Sequence, residues 1–240
     1  MLIDYNSSMK SKKRILELDV LRGVAVILMV MFHFGFDLAE FGYASYRTTV
    51  DMEWKIFRAV ILSMFLLAVG MSAYVAYADG INYKKLLKNL AKLSLISLVI
   101  SIGSYVAFPH AWIYFGVIHF IVLALPASLL FLHKPYIALV LGIAIPLSYV
   151  LGAFHLDTLH QLSVKYLHIP SFTVDVVSFT PWFGLVLLGV FLMSKNIFGF
   201  KLKETKLNMK LSFLGKHSLL IYLVHQPILF GVFYLLGVLL

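Results

Sequence analysis

The sequence contains no cysteine. This excludes a disulfide framework, a Cys-ligated zinc or iron–sulfur site, and a thiolate nucleophile or acyl-cysteine intermediate. Charge is scarce as well: Asp, Glu, Lys and Arg make up 13% of the 240 residues, whereas 61% are hydrophobic. A soluble domain is nearer half apolar and a quarter charged, so a water-soluble globule is excluded. Acidic residues are the rarer sign, 11 against 20 basic, which leaves a net charge of +9. The basic residues gather in a few short loops, which signals membrane topology; no nucleic-acid partner is expected. Internal repeats, Gly/Ser-rich linkers and low-complexity tracts are missing too, so residues 1–240 read as one domain. No G-x-S-x-G, Walker A or G-x-G-x-x-G motif occurs.

What is abundant is apolar chain. Runs free of Asp, Glu, Lys and Arg extend over Ala59–Ala78, Leu93–His133, Pro135–Leu156, Val176–Ser194 and His217–Leu240. A spanning helix needs about 20 such residues, and the second run is long enough for two, turning at Pro109-His110. The shorter run Gly23–Phe36 is extended by Val20, Leu21 and the snorkelling stem of Arg22. The expected fold is an all-α, polytopic membrane bundle of about seven spans, near 17–38, 55–78, 86–108, 112–132, 136–154, 180–198 and 217–239. With the N-terminus inside, fifteen Lys and Arg fall in inner segments against four in outer ones (Arg47, Lys55, Arg58 and Lys165), Arg22 being intramembrane. No small-x-small cleavage site follows Phe32–Phe36, so the first run is expected to stay as a helix. The amphipathic inner pieces Asn82–Lys92 and Lys201–Lys216 are expected to lie along the headgroups.

Ionisable residues inside a bilayer are costly and therefore functional candidates. The first span carries Asp19, Arg22, His33 and Asp37. Arg22 and His33 are eleven positions apart, which puts them only about 20° apart around a helix and about 16 Å apart along it. Asp37, one turn beyond His33, is placed for a carboxylate–imidazole hydrogen bond. The stripe suits a site with His33 as general base, Asp37 orienting it, and Arg22 holding an anionic ligand at the inner mouth. The plainer alternative is an Asp19–Arg22 pair serving folding, with His33 bonded to a neighbouring helix.

Two further histidines, His119 and His225, enter the bilayer from opposite sides to a depth that permits a cluster with His33. Pro227 can kink the last span beside His225 and Gln226, and both are site candidates. Trp182 opens the sixth span after Pro181; it suits an interface belt or a ring stacked on a sugar. His155, Asp157, His160 and His168 lie in the long outer loop without a strong metal-ligand spacing, and no metal is expected. The H-x3-D spacing of His33 and Asp37 is one residue short of the H-x4-D of glycerolipid acyltransferases.

The stretch Leu18-Asp19-Val20-Leu21-Arg22-Gly23-Val24-Ala25, with Met29 and Phe32-His33, resembles the first helix of membrane-embedded polysaccharide acyltransferases, marked by a basic residue, ten residues and a histidine. FHFGFDL, Phe115-Gly116-Val117-Ile118-His119, Pro181-Trp182-Phe183-Gly184 and the closing HSLLIYLVHQP make the chain most similar to small prokaryotic members of the heparan-α-glucosaminide N-acetyltransferase catalytic-domain family. The resemblance implies transfer of an acetyl group from cytoplasmic acetyl-CoA to an amine or hydroxyl of a sugar or glycan on the outer side. The CoA phosphates would meet Arg22 with some of Lys84, Lys85, Lys88 and Lys216. The chain is shorter than the lysosomal enzymes, which carry more spans and a large lumenal domain, so heparan sulfate itself is not carried over.

The expected partners are thus acyl-CoA, a sugar or glycan acceptor and the lipid bilayer, with room for a second copy of the chain as a homodimer. The expected location is the plasma (inner) membrane, as a multi-pass protein. Two other functions compete. One is a small proton-coupled transporter with a histidine relay, weakened by the lack of inverted repeats. The other is a haem protein ligated by two of His33, His119 and His225.

Overall fold

A computed structural model describes residues 14–153, 166, 169–170, 173, 175–197 and 201–239. Within them the chain is helical: α1 (Leu16–Glu40), α2 (Met52–Tyr77), α3 (Tyr83–Ala107), α4 (Val117–Leu129), α5 (Pro135–Val150), α6 (Phe179–Ser194), α7 (Lys206–Lys216) and α8 (Ser218–Leu239). The boundaries follow local chemistry. Asn82 accepts a hydrogen bond from the Lys85 amide at the start of α3, and Thr205 caps α7 through the Asn208 amide. Pro135 takes the first position of α5, where a missing amide costs nothing.

Four helices, α1, α2, α3 and α8, are long and apolar enough to cross a membrane. The others expected to span are shorter: α4 has 13 residues, and α5 and α6 have 16 each. At about 1.5 Å per residue they reach roughly 20–24 Å, against a hydrocarbon core of about 30 Å. The expected span 112–132 begins later because residues 108–116 run irregularly before Gly116 opens α4. Residues 82–92 are not a separate surface piece, since they form the cap and first turns of α3.

α6 is the centre of packing, wedged between α2 and α5 and touching α4. Its Val186, Leu187 and Val190 are fully buried, with Leu66 of α2 and Phe120 of α4. Small residues set the spacing. A Cβ on Gly70 would stand 1.9 Å from the Val186 carbonyl oxygen, and one on Gly189 would stand 2.2 Å from that of Leu67. The same device joins α7 to the first turns of α1, where Gly215 lies against the Asp19 carbonyl and Gly23 against that of Leu211. α8 packs along α1, whereas α3 packs on α4 and forms no comparable seam with α1, α2 or α8.

Candidate functional site

A cavity of about 1320 Å³ opens where α3 stands away from the bundle, and α1, α2, α8 and the chain leading into α6 supply its other walls. His33 and His225 both line it. His33 Nδ1 lies 3.0 Å from the Met29 carbonyl oxygen, one turn back on α1. A carbonyl can only accept, so Nδ1 carries the proton and the neutral ring keeps its lone pair on Nε2. His225 repeats the arrangement, donating from Nδ1 to the Tyr222 carbonyl at 2.8 Å, with the Ile221 carbonyl at 3.2 Å. Its Nε2 is buried and has no partner among the described residues. The two rings meet edge to face, with centroids 4.6 Å apart.

The expected bond from Asp37 to His33 is replaced by two others. A helical histidine can reach its own i−4 carbonyl, and His33 does so. Asp37 instead faces α8, where its Oδ1 accepts from Gln226 Nε2 at 2.7 Å. Asp37 is wholly buried, yet its Oδ2 has no hydrogen-bond partner among the described residues, and neither has the Oε1 of Gln226. His225 and Gln226 line the cavity, whereas Asp37 lies behind Gln226 and is not part of the wall. Buried polar atoms are normally satisfied, so the unpartnered Gln226 Oε1 and His225 Nε2 on cavity-lining residues suit a ligand rich in N–H or O–H groups. Pro227, also in the cavity wall, removes the amide that would bond the Leu223 carbonyl. α8 nevertheless continues through it as one helix.

A second polar feature of the cavity joins groups 117 positions apart in the chain. Arg58 of α2 donates from Nη2 to Asp175 Oδ1 at 2.8 Å and to the Val176 carbonyl at 2.7 Å. The chain before α6 is also held by Thr173, whose hydroxyl lies 2.9 Å from the Trp112 carbonyl and 3.1 Å from that of Asp175, and by the Val177 amide on the Phe115 carbonyl. Arg58, Asp175, Lys55 and Tyr222 all line the cavity. Sequence reading counted Arg58 and Lys55 only as outer charges. The available signal was an arginine seven residues into an apolar helix, with an aspartate shortly before Pro181.

The inner-mouth candidates stand apart from this cavity. Arg22 pairs with Asp19 at 3.7 Å and donates to the Ser72 hydroxyl of α2, while Arg14 approaches Asp19 at 3.9 Å. Val26, Met29, Leu66 and Met71 are buried along α1 and α2 between Arg22 and His33. Lys84, Lys85 and Lys88 are exposed on the first turns of α3, and Lys216 is exposed at the end of α7.

His119 takes no part in the cavity wall. Its Nδ1 accepts from the Gly116 amide at 3.3 Å, so its Nε2 carries the proton and donates to the Ser101 hydroxyl at 2.9 Å. Ser101 in turn donates to the Ile113 carbonyl at 2.8 Å. Nδ1 thus closes the start of α4 on itself, and Nε2 ties it to α3. Trp182 packs at the edge of the main apolar core and does not reach the cavity. Among the described residues no group of three or more His, Asp or Glu side chains could hold a metal ion. His155, Asp157, His160 and His168 lie outside the described residues, as does Lys165.

The arrangement thus offers two imidazole lone pairs, orphaned acceptors and an anchored guanidinium around one space, which suits proton transfer to or from a polyol or amine. No curated protein matches the chain, and no solved structure does. Residues 14–227 match the family described as heparan-alpha-glucosaminide N-acetyltransferase, catalytic, and the chain belongs to that family.

Proposed function

We propose that the protein is a membrane-embedded acetyltransferase that moves an acetyl group from cytoplasmic acetyl-CoA to an amine or hydroxyl of a sugar or glycan on the outer side. The observation that carries this reading is the tautomer of His33, whose Nδ1–H is committed to Met29 and which leaves the Nε2 lone pair unprotonated on a cavity-lining residue. In the reaction, Nε2 takes the acceptor proton as the acceptor oxygen or nitrogen attacks the acetyl carbonyl. The thioester C–S bond then breaks, and the proton passes to the departing CoA sulfur. Acceptor and acetyl-CoA thereby become acetylated acceptor and free CoA.

The surrounding groups have separate roles in this reading. Gln226 Oε1 and His225 Nε2 receive acceptor hydroxyls or an amine, and Asp37, behind the wall, positions Gln226, not His33. Arg58 and Asp175 fix the chain that covers the cavity. Arg22, with Lys84, Lys85, Lys88 and Lys216, is assigned to CoA phosphates at the inner face, and Val26, Met29, Leu66 and Met71 must part for the acetyl group to reach His33. Seven spans with the N-terminus in the cytoplasm of a plasma-membrane protein complete the proposal, supported by the basic asymmetry. A haem between His33 and His225 would need the rings on opposite faces of a macrocycle, and here they touch edge to face. The experiment is transfer across proteoliposomes. Labelled acetyl-CoA supplied at the cytoplasmic face should acetylate an amino sugar held at the other face; acetylation only when both are on one side would overturn the transmembrane reading.

A further inference from the structure

The cavity has walls of two kinds. On the side of α1, α2 and the chain before α6 stand His33, Lys55, Arg58 and Asp175. On the other side α3 contributes Val99, Ile100 and Gly103, with Phe108 just past its end, and α8 contributes Leu223, Phe230, Gly231 and Tyr234. These two helices share the cavity without packing into a seam. The rings of Phe108 and Phe230, with centroids 5.6 Å apart, bridge them.

Three observations mark the space between α3 and α8 as open toward the bilayer. Val99 and Tyr234 line the cavity yet are 51% and 60% exposed, so the apolar wall continues outward on both helices. A Cβ added to Gly103 or to Gly231, one on each helix, would meet nothing within 4 Å. Among the described residues of α3, only Leu86 and Ser97 are buried, so the surface next to the opening faces hydrocarbon.

We propose that this gap is a lateral portal, and that the acceptor is a membrane-resident amphiphile, a sugar carried on a hydrocarbon chain. The inference rests on the acetyltransferase reading and names its substrate class. The headgroup sits at the polar end of the cavity, beside His33, His225 and Gln226, which line it. The chain leaves between α3 and α8 past Gly103 and Gly231 into the lipid. The size of the cavity agrees, since it exceeds the roughly 300–1,000 Å³ of sites that enclose a small ligand whole. A free sugar would leave the α3–α8 wall without a partner, whereas a tail satisfies both walls at once.

The test compares methyl and octyl β-glucosaminide as acceptors for the full chain in lipid nanodiscs. Each methylene buried in an apolar wall contributes about fourfold, so kcat/KM should rise at least about tenfold from methyl to octyl. Partition into the lipid raises the octyl value by itself, so the deciding quantity is the octyl-to-methyl ratio in variants. Gly103→Phe and Gly231→Phe place a ring in the open gap and should lower that ratio about tenfold or more. A ratio unchanged in the folded double variant overturns the portal.

A second measurement needs no turnover. A glucosaminide with a diazirine at the end of its alkyl chain should cross-link to Val99, Gly103 or Tyr234 far more than to Leu87 or Leu95 on the outer face of α3. Equal labelling along α3 overturns the portal. If no acceptor is acetylated while the cross-links stay concentrated at the gap, the transferase reading falls and the portal stands.

Discussion

At the scale of single residues, the chemistry depends on which hydrogen bonds the side chains choose. His33 and Asp37 stand one turn apart, a spacing that invites a direct bond, yet the imidazole is held by Met29 and the carboxylate by Gln226. In the proposed reaction, Asp37→Asn would therefore act on acceptor binding through Gln226. A bond from the Gln226 amide to a charged acceptor exceeds one to a neutral acceptor by about 1 kcal/mol, so acceptor KM should rise roughly fivefold with kcat nearly kept. A fall in kcat with a displaced pH–rate profile would instead give Asp37 the role of orienting His33. Arg22 poses a different choice, because Asp19 and Ser72 already occupy it. If it also grips CoA phosphate, Arg22→Ala should weaken acetyl-CoA binding by about 10- to 150-fold, the worth of one charge-assisted hydrogen bond of about 1.5–3 kcal/mol. Calorimetry on the folded variant decides it, and unchanged affinity would leave Arg22 a purely structural partner of Asp19. The positions of Arg22, His33, His225 and Gln226 were legible in the sequence because polar residues stand out in apolar helices. Their partners were not legible: the Arg58–Asp175 pair and the Asp37–Gln226 bond join residues more than a hundred positions apart, and only the packing of α2 against α6 and of α8 against α1 brings them together.

At the scale of helices, backbone approach rather than propensity fixes the frame that holds the site. α2 and α6 touch where Gly70 and Gly189 leave room for each other's carbonyls. Gly189→Leu puts a side chain into the Leu67 carbonyl, and overpacking of this kind costs about 1–3 kcal/mol or more. The thermal unfolding midpoint in detergent should fall clearly, while Gly103→Ala, at an open position, should leave it nearly unchanged. Equal midpoints for both variants would mean the α2–α6 contact does not determine stability. The element pattern was readable because long apolar runs and punctuating prolines persist locally; the seven expected segments each overlap an observed helix. What could not be read was the shortness of α4 and the independence of α3, since an apolar helix facing lipid and one facing protein have the same composition.

At the scale of the whole molecule, asymmetry is the organising feature: His33, Arg58, Asp175, His225 and Gln226 meet at one cavity, and basic residues gather on one set of loops. The cysteine-free background allows the orientation to be tested directly. A single cysteine replacing Lys203 should resist an impermeant thiol reagent in intact cells and react after permeabilisation, and labelling in intact cells would reverse the orientation.

The most direct measurement is acetyl transfer by His33→Ala, shown to be folded and inserted, with acetyl-CoA binding measured on the same preparation. Losing a general base costs about 10²–10⁴-fold in rate and removes no group that holds CoA. The expected result is retained acetyl-CoA binding with transfer reduced at least a hundredfold on that scale. Transfer by His33→Ala at a rate near that of the wild type would contradict the assignment of His33 Nε2 as the base.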